Sequence, residues 1–304
     1  MKQIGLIALG IGLLVSCSKD NEVKTSDDKV IVQYLTENNI DFVKSSGVYK
    51  YSIVDNPSGS NSGNVFSIYY TLSDLISGTI IDSHLIGDGD PILLLHNASS
   101  VFPVGLDYGL TDVREGETIG IIVPGKLAYE NYPSAAVSND AILHFEVEVV
   151  SRQSQADISL SEDTDITNYI STNGLNPTMS LGGGVYYKEL AAGTGLAPTS
   201  GDSLTIDYSG TFLDDSGFDA LTGFKYKYGV GDVINALDDG IAEMTVNGRS
   251  VIIIPSEKAY GASVRVIPEA AIDDLVDQFV VPAYVARVPP FKVLIFDVTL
   301  QIIH

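Results

Sequence analysis

The chain carries one unit written twice. Ile31, Tyr34-Leu35-Thr36, Asn38 and Ile40 return in the same order as Ile166, Tyr169-Ile170-Ser171, Asn173 and Leu175. Gly47-Val48-Tyr49 returns as Gly184-Val185-Tyr186, Tyr70 as Tyr208, Asp82 as Asp219, and Leu127-Ala128-Tyr129 as Lys258-Ala259-Tyr260. The run HFEVEVV ending at Val150 matches IFDVTLQ ending at Gln301. A duplication on this scale constrains the fold more than any single motif, because whatever one copy forms the other must also be able to form. The 304 residues then divide into two units of ordinary domain size, about 100–150 residues each. The polar segment from Ser151 to Thr164, rich in Ser, Gln and Asp, reads as the linker between units 29–150 and 165–304.

Within each unit the residues mostly alternate, as in Leu204-Thr205-Ile206-Asp207-Tyr208 and Ser250 to Ile254. β-branched and aromatic residues at a period of two predict antiparallel strands. One segment breaks the period. Ile234, Leu237, Ile241 and Met244 fall at i, i+3, i+7 and i+10, a single apolar stripe on a short helix. Pro103, Leu106, Leu110 and Val113 repeat that spacing in the first unit. The fold class that follows is α+β: a twisted antiparallel sheet wrapped over one short helix, twice. Residues 28–41 and 163–176 predict one more short helix ahead of each unit, with Asp at its start.

A formal net charge of −22 excludes nucleic acid as a partner, since a phosphate backbone must be met by clustered Lys and Arg. It also disfavours binding to anionic headgroups. His84, His96, His144 and His304 lack ligand spacing, and Cys17 is the only thiol. Asp88-Gly89-Asp90 lacks the rest of a calcium loop and reads as a turn. No nucleophile elbow or phosphate loop is present; Gly229-Val230-Gly231 lacks the downstream Gly and Lys. Neither a metal nor a cofactor is expected.

From Gly201 to Gly261 the second unit reads GDSLTIDYSGTF, GFD, GVGDVINALDDGIAEM and IIIPSEKAYG, and it closes with Val288-Pro289-Pro290 and LIFDVTLQI. This ordered set resembles an FKBP-type peptidyl-prolyl cis-trans isomerase domain. The resemblance implies one apolar proline pocket lined by Phe218, Phe224, Val233, Ile234, Leu237, Val288 and Phe296, together with Tyr208. It implies that Tyr260 donates its hydroxyl to a substrate carbonyl and the amide of Ile234 to another. Asp219 would orient the polar wall through the hydroxyl of Tyr208. Tyr208, Asp219 and Tyr260 are thus the expected catalytic set, and proline-containing polypeptides the expected partners. On alternating strand positions the same aromatics also suit a plain core.

Departures from the pattern are informative. Leu237 stands where the family usually carries Trp, and the chain has no Trp at all. Ala220 to Gly223 lacks the basic residue often found there. In the first unit Ile81 replaces the Phe before Asp82, Glu130 replaces the Gly after Tyr129, and Pro103 stands where Ile234 does. Proline has no N–H, so that backbone donor is gone and a weak or inactive first copy is expected. Residues 262–288 form a flap longer than the family norm, with Ile267-Pro268-Glu269 and an apolar run at Phe279-Val280-Val281. It is read either as a cap over the second pocket or as a recognition surface. If the hydroxyls of Tyr129 and Tyr260 both face solvent-filled pockets, removing either leaves stability unchanged.

The amino terminus is separate from both units. Met1-Lys2-Gln3 is followed by an apolar run from Ile4 to Val15, too short to span a bilayer but suited to a signal-peptide core. It ends in Leu14-Val15-Ser16-Cys17, which resembles a bacterial lipobox. That resemblance implies cleavage after residue 16, acylation of Cys17 and a lipidated tether over 17–28. Several acyl chains, at about 0.8 kcal/mol per buried methylene, hold a protein stably on a membrane. Ser18-Lys19-Asp20-Asn21-Glu22 resembles the acidic signal that sends some Bacteroidota lipoproteins to the outer face of the outer membrane; it also reads as a polar tether. The whole is similar to tandem-domain lipoproteins of the gliding-motility-associated type in the Bacteroidota. The expectation is an outer-membrane lipoprotein, periplasmic or surface-facing, that assists folding of envelope or secreted proteins. Two other readings stay open: a non-catalytic binding or chaperone module, and a surface receptor that uses the flap to bind protein or glycan.

Overall fold

The computed structural model describes residues 26–304 apart from Ala98 and Pro177. The first unit contributes β1 (Val43–Ser45), β2 (Val48–Val54), β3 (Val65–Asp74), β4 (Ile80–His84), β5 (Ile92–Leu95), β6 (Val101–Phe102), β7 (Thr118–Val123) and β8 (Leu143–Gln153). The second contributes β9 (Met179–Gly182), β10 (Val185–Ala191), β11 (Ser203–Thr211), β12 (Gly217–Lys227), β13 (Arg249–Ile254), β14 (Arg265–Val266) and β15 (Leu294–Ile303). Spatial order in the first sheet is β1-β2-β7-β8-β3-β4, with β5 on β3; in the second it is β9-β10-β13-β15-β11-β12. Equivalent strands occupy equivalent places, and every pairing within the two sheets is antiparallel. The duplicated sequence has produced a duplicated topology, and the fold is α+β as expected.

Helices cover both faces of each sheet. They are α1 (Asp27–Glu37), α2 (Val104–Gly109), α3 (Gln155–Thr172) and α4 (Asn235–Ile241). Successive strand residues point to opposite faces, so Ile121 joins the core under α2 while Ile122 packs under α1 with Ile31, Leu35 and Tyr49. In the second unit Ile252 lies under α4, and Val251 and Ile253 meet Ile166 and Ile170 of α3. The stripe read from sequence is buried in both copies, as Leu106, Leu110 and Val113 and as Leu237, Ile241 and Met244. Pro103 and Ile234 cap the two inner helices with extended backbone. Gly109 and Gly240 let each inner helix press onto its strand; a methyl there would collide with Ile121 or Ile252.

The linker expectation is corrected. Ser151 to Gln153 complete β8, and residues 155–172 form one continuous helix, so no loose connection runs from 151 to 164. Ser154 caps this helix in a reciprocal box: its hydroxyl accepts from the Asp157 amide, and Asp157 accepts from the Ser154 amide. The buried positions Ile158, Glu162, Ile166 and Ile170 recur every four residues. A glutamate inside that stripe is what hides the helix from a hydropathy reading. Among the described residues no helix is long and apolar enough to cross a membrane; the expected signal peptide and Cys17 lie outside them.

The segment 262–288 leaves its own unit. Its ends meet at the stem, where the Phe291 amide donates to the Gly261 carbonyl at 2.9 Å. Beyond the stem, β14 pairs in parallel with β6 of the first unit, Arg265 opposite Val101 and Val266 opposite Phe102. The short helix α5 (Ile272–Asp277) follows. Val266, Ile267, Ala271, Leu275, Val281 and Val285 are all buried in the first unit's core. Fully burying a side chain of this kind contributes about 1.5–3 kcal/mol, so the insertion is a structural part of the first unit. The Phe102–Pro103 and Ile267–Pro268 peptide bonds are both cis.

Candidate functional site

All the pocket residues expected in the second unit converge on one cluster. Leu237, Val288 and Phe296 are its buried floor, and Tyr208, Phe218, Phe224, Val233, Ile234 and Tyr260 pack around them, half-buried. Strand pairing sets this up: Gly210 of β11 lies opposite Asp219 of β12 and Phe296 of β15. Tyr208 and Asp219 are therefore diagonal neighbours, within side-chain reach. The Tyr208 hydroxyl donates to Asp219 Oδ2 at 2.8 Å. Burial first, and then this hydrogen bond to a carboxylate, push the Tyr208 phenol up to about 12, so it stays a neutral donor at physiological pH. Phe218 meets Phe296 edge to face at 5.5 Å, and Phe224 meets Tyr208 the same way at 5.7 Å. Gly210 makes room for the Phe218 ring, which a β-carbon would strike.

Behind the wall lies a pair that the sequence reading passed over. Asp238, buried on α4, accepts from the Tyr226 hydroxyl and the Gly229 amide, each at 3.0 Å. In the first unit Asp107 of α2 accepts from His96 Nδ1 at 2.9 Å and the Asn97 amide at 3.0 Å. Both carboxylates tie the loop before the inner helix to that helix. The signal was present, an Asp following the stripe leucine in both copies, but acidic residues on short helices ordinarily face solvent.

Two further residues come from the insertion. Arg287 Nη1 reaches Asp219 Oδ1 at 3.0 Å. It supplies a guanidinium to the carboxylate whose local segment, Ala220 to Gly223, has no basic residue. Tyr284 stacks on Tyr260 with ring centroids 4.3 Å apart. No sequence signal links positions so far apart in the chain. Tyr260 keeps its hydroxyl unpaired among the described residues, and so does the Ile234 amide; burial raises the Tyr260 pKa.

The equivalent pocket of the first unit has the same frame and a different occupant. The Tyr70 hydroxyl donates to Asp82 Oδ2 at 2.8 Å, matching Tyr208 and Asp219. Tyr129, the counterpart of Tyr260, is 1% exposed, and its hydroxyl donates to the Ile267 carbonyl at 3.0 Å. The Ile267 amide donates to the Phe102 carbonyl and the Arg265 amide to the Ser100 carbonyl, both at 2.8 Å. Ile267 and Pro268 are buried. The segment read either as a cap for the second pocket or as a recognition surface thus fills the first, and the solvent-facing environment considered for Tyr129 is corrected to a closed one.

The family model described as FKBP-type peptidyl-prolyl cis-trans isomerase matches residues 57–150 and 195–301. The chain belongs to that family. One matched region falls in each unit, so the FKBP assignment extends to the plugged first unit as well as the open second one. FK506-binding protein 4 of Dictyostelium discoideum is 31% identical over 124 residues, 40% of this chain and 29% of that protein. Peptidyl-prolyl cis-trans isomerase FKBP9 of Rattus norvegicus is 26% identical over 254 residues, 79% of this chain and 35% of that protein. FK506-binding protein 1 of Yarrowia lipolytica is 32% identical over 122 residues, 38% of this chain and 95% of that protein. The chain spans about a third of the length of the first two relatives.

Proposed function

We propose that the second unit is a peptidyl-prolyl cis-trans isomerase acting on proline-containing polypeptides, and that it works in the bacterial envelope on a chain anchored through acylated Cys17. The observation that carries the reading is the contrast between two equivalent tyrosines. Tyr129 already holds the carbonyl that precedes a proline of its own chain, while Tyr260 presents a hydroxyl with no partner among the described residues, beside an aromatic pocket of the same design.

The chemistry asks for little else. Resonance holds the amide planar and its oxygen polar, and rotation about the Xaa-Pro bond meets a barrier near 20 kcal/mol. In the twisted transition state that resonance is lost and the carbonyl is less dipolar. Phe218, Phe224 and Phe296 exclude water from the bond, which favours the twisted form over the planar one. Tyr260 and the Ile234 amide hold the flanking carbonyls, and Asp219 fixes Tyr208. Each 1.4 kcal/mol gained this way is about tenfold in rate.

Two-dimensional exchange spectroscopy of a short peptide with a central Leu-Pro bond, with the leaderless chain present, tests the reading. Acceleration that is weakened by Tyr260→Phe supports it. The buried Leu237 floor, where the family usually carries Trp, favours the second reading, a binding or chaperone module of the envelope. Peptide binding with no acceleration would select that one. For the anchor, Cys17→Ser is expected to lose acyl-chain labelling and leave the membrane fraction; a variant that stays membrane-bound contradicts it.

A further inference from the structure

The insertion from the second unit is held at both ends by different pockets. Val285 is buried in the first unit's core and Val288, one turn later, in the second's. Just before Val285, Tyr284 packs against the first core while its ring stacks on Tyr260. Arg287 then reaches Asp219. We propose that Tyr284 and Arg287 are positioning residues of the second pocket, and that the first unit's pocket, by binding Val266-Ile267-Pro268, is the receptor that sets their placement. The inference rests on the isomerase reading of the second pocket.

Three observations carry it. The docking is directional as well as apolar. Residues 265–267 make two strand-like hydrogen bonds to the first unit and accept one from Tyr129. The far side of the insertion is fixed as well, by the Ala135 amide on Asp274 Oδ2 at 2.8 Å and by Gln278 Nε2 on the Pro133 carbonyl at 2.7 Å. The turn that follows, with the Arg287 and Val288 amides donating to the Tyr284 carbonyl, therefore starts from a fixed point. Asp219 is then held from two sides, Oδ2 by Tyr208 and Oδ1 by Arg287. In the first unit Asp82 takes Tyr70 on one oxygen and the Ser83 amide on the other; Asp219 has the matching Ala220 amide on Oδ1 at 3.0 Å, so the Arg287 guanidinium is what the second unit adds. The added guanidinium restrains the Asp219 carboxylate and with it the Tyr208 hydroxyl, and the stacked Tyr284 ring limits the motion of Tyr260. The degenerate first copy has thus kept a proline-binding pocket for a ligand supplied by its own chain.

The test uses the leaderless full chain, the Leu-Pro peptide and amide hydrogen exchange over residues 283–288. Arg287→Gln is expected to raise KM about fivefold, the worth of one hydrogen bond, with kcat within about twofold. Ile267→Ala, remote from the second pocket, is expected to do the same and to speed exchange at the Val285, Arg287 and Val288 amides. Ile267→Val should restore both, and adding Ile267→Ala to Arg287→Gln should raise KM no further. The proposal is overturned if Ile267→Ala leaves KM and exchange at 283–288 unchanged, or if the two substitutions raise KM multiplicatively. Should Ile267→Ala not fold, Asp274→Ala removes a docking contact at the surface and carries the same comparison. If the parent chain shows no turnover, the isomerase reading fails, and exchange at 283–288 alone decides: faster exchange in the variants sustains the coupling, unchanged exchange overturns it.

Discussion

The two pockets of this chain share a frame and differ in what fills it. Tyr70 and Asp82 reproduce Tyr208 and Asp219 to the same 2.8 Å, yet one pocket is a closed core and the other is open to solvent. The difference lies in a single inserted segment, buried by the first unit and emitted by the second. A binding site can therefore become core without changing its polar wall, provided the chain supplies a permanent occupant. Pro103 is consistent with this history: with no N–H to offer, the first pocket pairs through its Phe102 carbonyl instead, which accepts from the Ile267 amide.

The two pockets should differ most when each is hollowed at its equivalent floor. Phe145 and Phe296 occupy the same register, Phe145 opposite Leu72 and Ile121, Phe296 opposite Gly210 and Ile252. Truncating a buried Phe to Ala costs roughly 3–5 kcal/mol, with the larger losses where the site cannot collapse or fill. Phe145→Ala is expected at the upper end, since the insertion seals its cavity. Phe296→Ala is expected at the lower end, with a large loss of isomerase activity. Denaturant unfolding measures both, and equal costs would mean the second pocket is as closed as the first.

Next in size is the tyrosine pair. Tyr129→Phe leaves the buried Ile267 carbonyl without its donor and is expected to cost about 1–3 kcal/mol of stability. Tyr260→Phe removes a hydroxyl that is unpaired among the described residues. Its stability should move by less than about 0.5 kcal/mol, while kcat/KM falls about fivefold for a lost contact worth about 1 kcal/mol. If Tyr260→Phe instead lowers the melting temperature by several degrees with activity intact, Tyr260 is a core residue and the catalytic assignment falls.

These contrasts show how far the sequence could be read. The repeat, the period-two strands, the i, i+3, i+7 stripe and the convergence of Tyr208, Phe218, Phe224, Leu237 and Phe296 were all legible, because each is set by local spacing or by family pattern. The destination of the insertion was not. Ile267 meets Phe102 and Tyr129 across long stretches of chain, and non-local docking leaves no period to detect. Its apolar run at Phe279-Val280-Val281 divides in the fold: Val281 is buried in the first unit, and Phe279 is 95% exposed. Arg287 was invisible for the same reason, since its partner Asp219 sits on a distant strand. The polar segment from Ser151 was misread for a different cause. Its composition suggested a loop, although Ser154 and Asp157 already stood at capping-box spacing.

A smaller effect tests the two phenols by pH. The Tyr208 phenol rises from an ordinary 10.0 to about 12 in the folded chain. A group raised on folding contributes stability that is fully present below its unfolded value and is lost as pH climbs through its folded value. Stability is therefore expected to fall between about pH 10 and about pH 12. Tyr70, more deeply buried, is pushed further up and keeps its proton over that range. Denaturation midpoints across this window should decline less steeply in Tyr208→Phe than in the parent chain. Parallel declines would mean that Tyr208 ionises alike in the folded and unfolded states.

The smallest effect concerns the outer helices, α1 and α3. Asp27 of α1 accepts from the Gly125 amide and Glu162 of α3 from the Ser256 amide, both at 2.9 Å. Each acid thus pins the short turn that precedes Tyr129 or Tyr260. Glu162 pays more for the position: it is buried in the apolar stripe of α3, and its Oε1 has no partner among the described residues. Burial raises its pKa above the ordinary 4.5. By the same linkage its contribution is complete below about pH 4.5 and fades as pH rises through the folded value. Glu162→Gln keeps an acceptor for the Ser256 amide and carries no charge to desolvate. The variant is expected to lose the part of the parent's decline that begins above about pH 4.5 and belongs to Glu162, and to melt slightly higher than the parent at neutral pH. A Gln variant that is less stable at pH 7 would show that the charge-assisted bond to Ser256 outweighs the burial of the carboxylate. The acid would then be a fastening of the second pocket, as Asp27 is of the first, rather than a cost that the second copy tolerates.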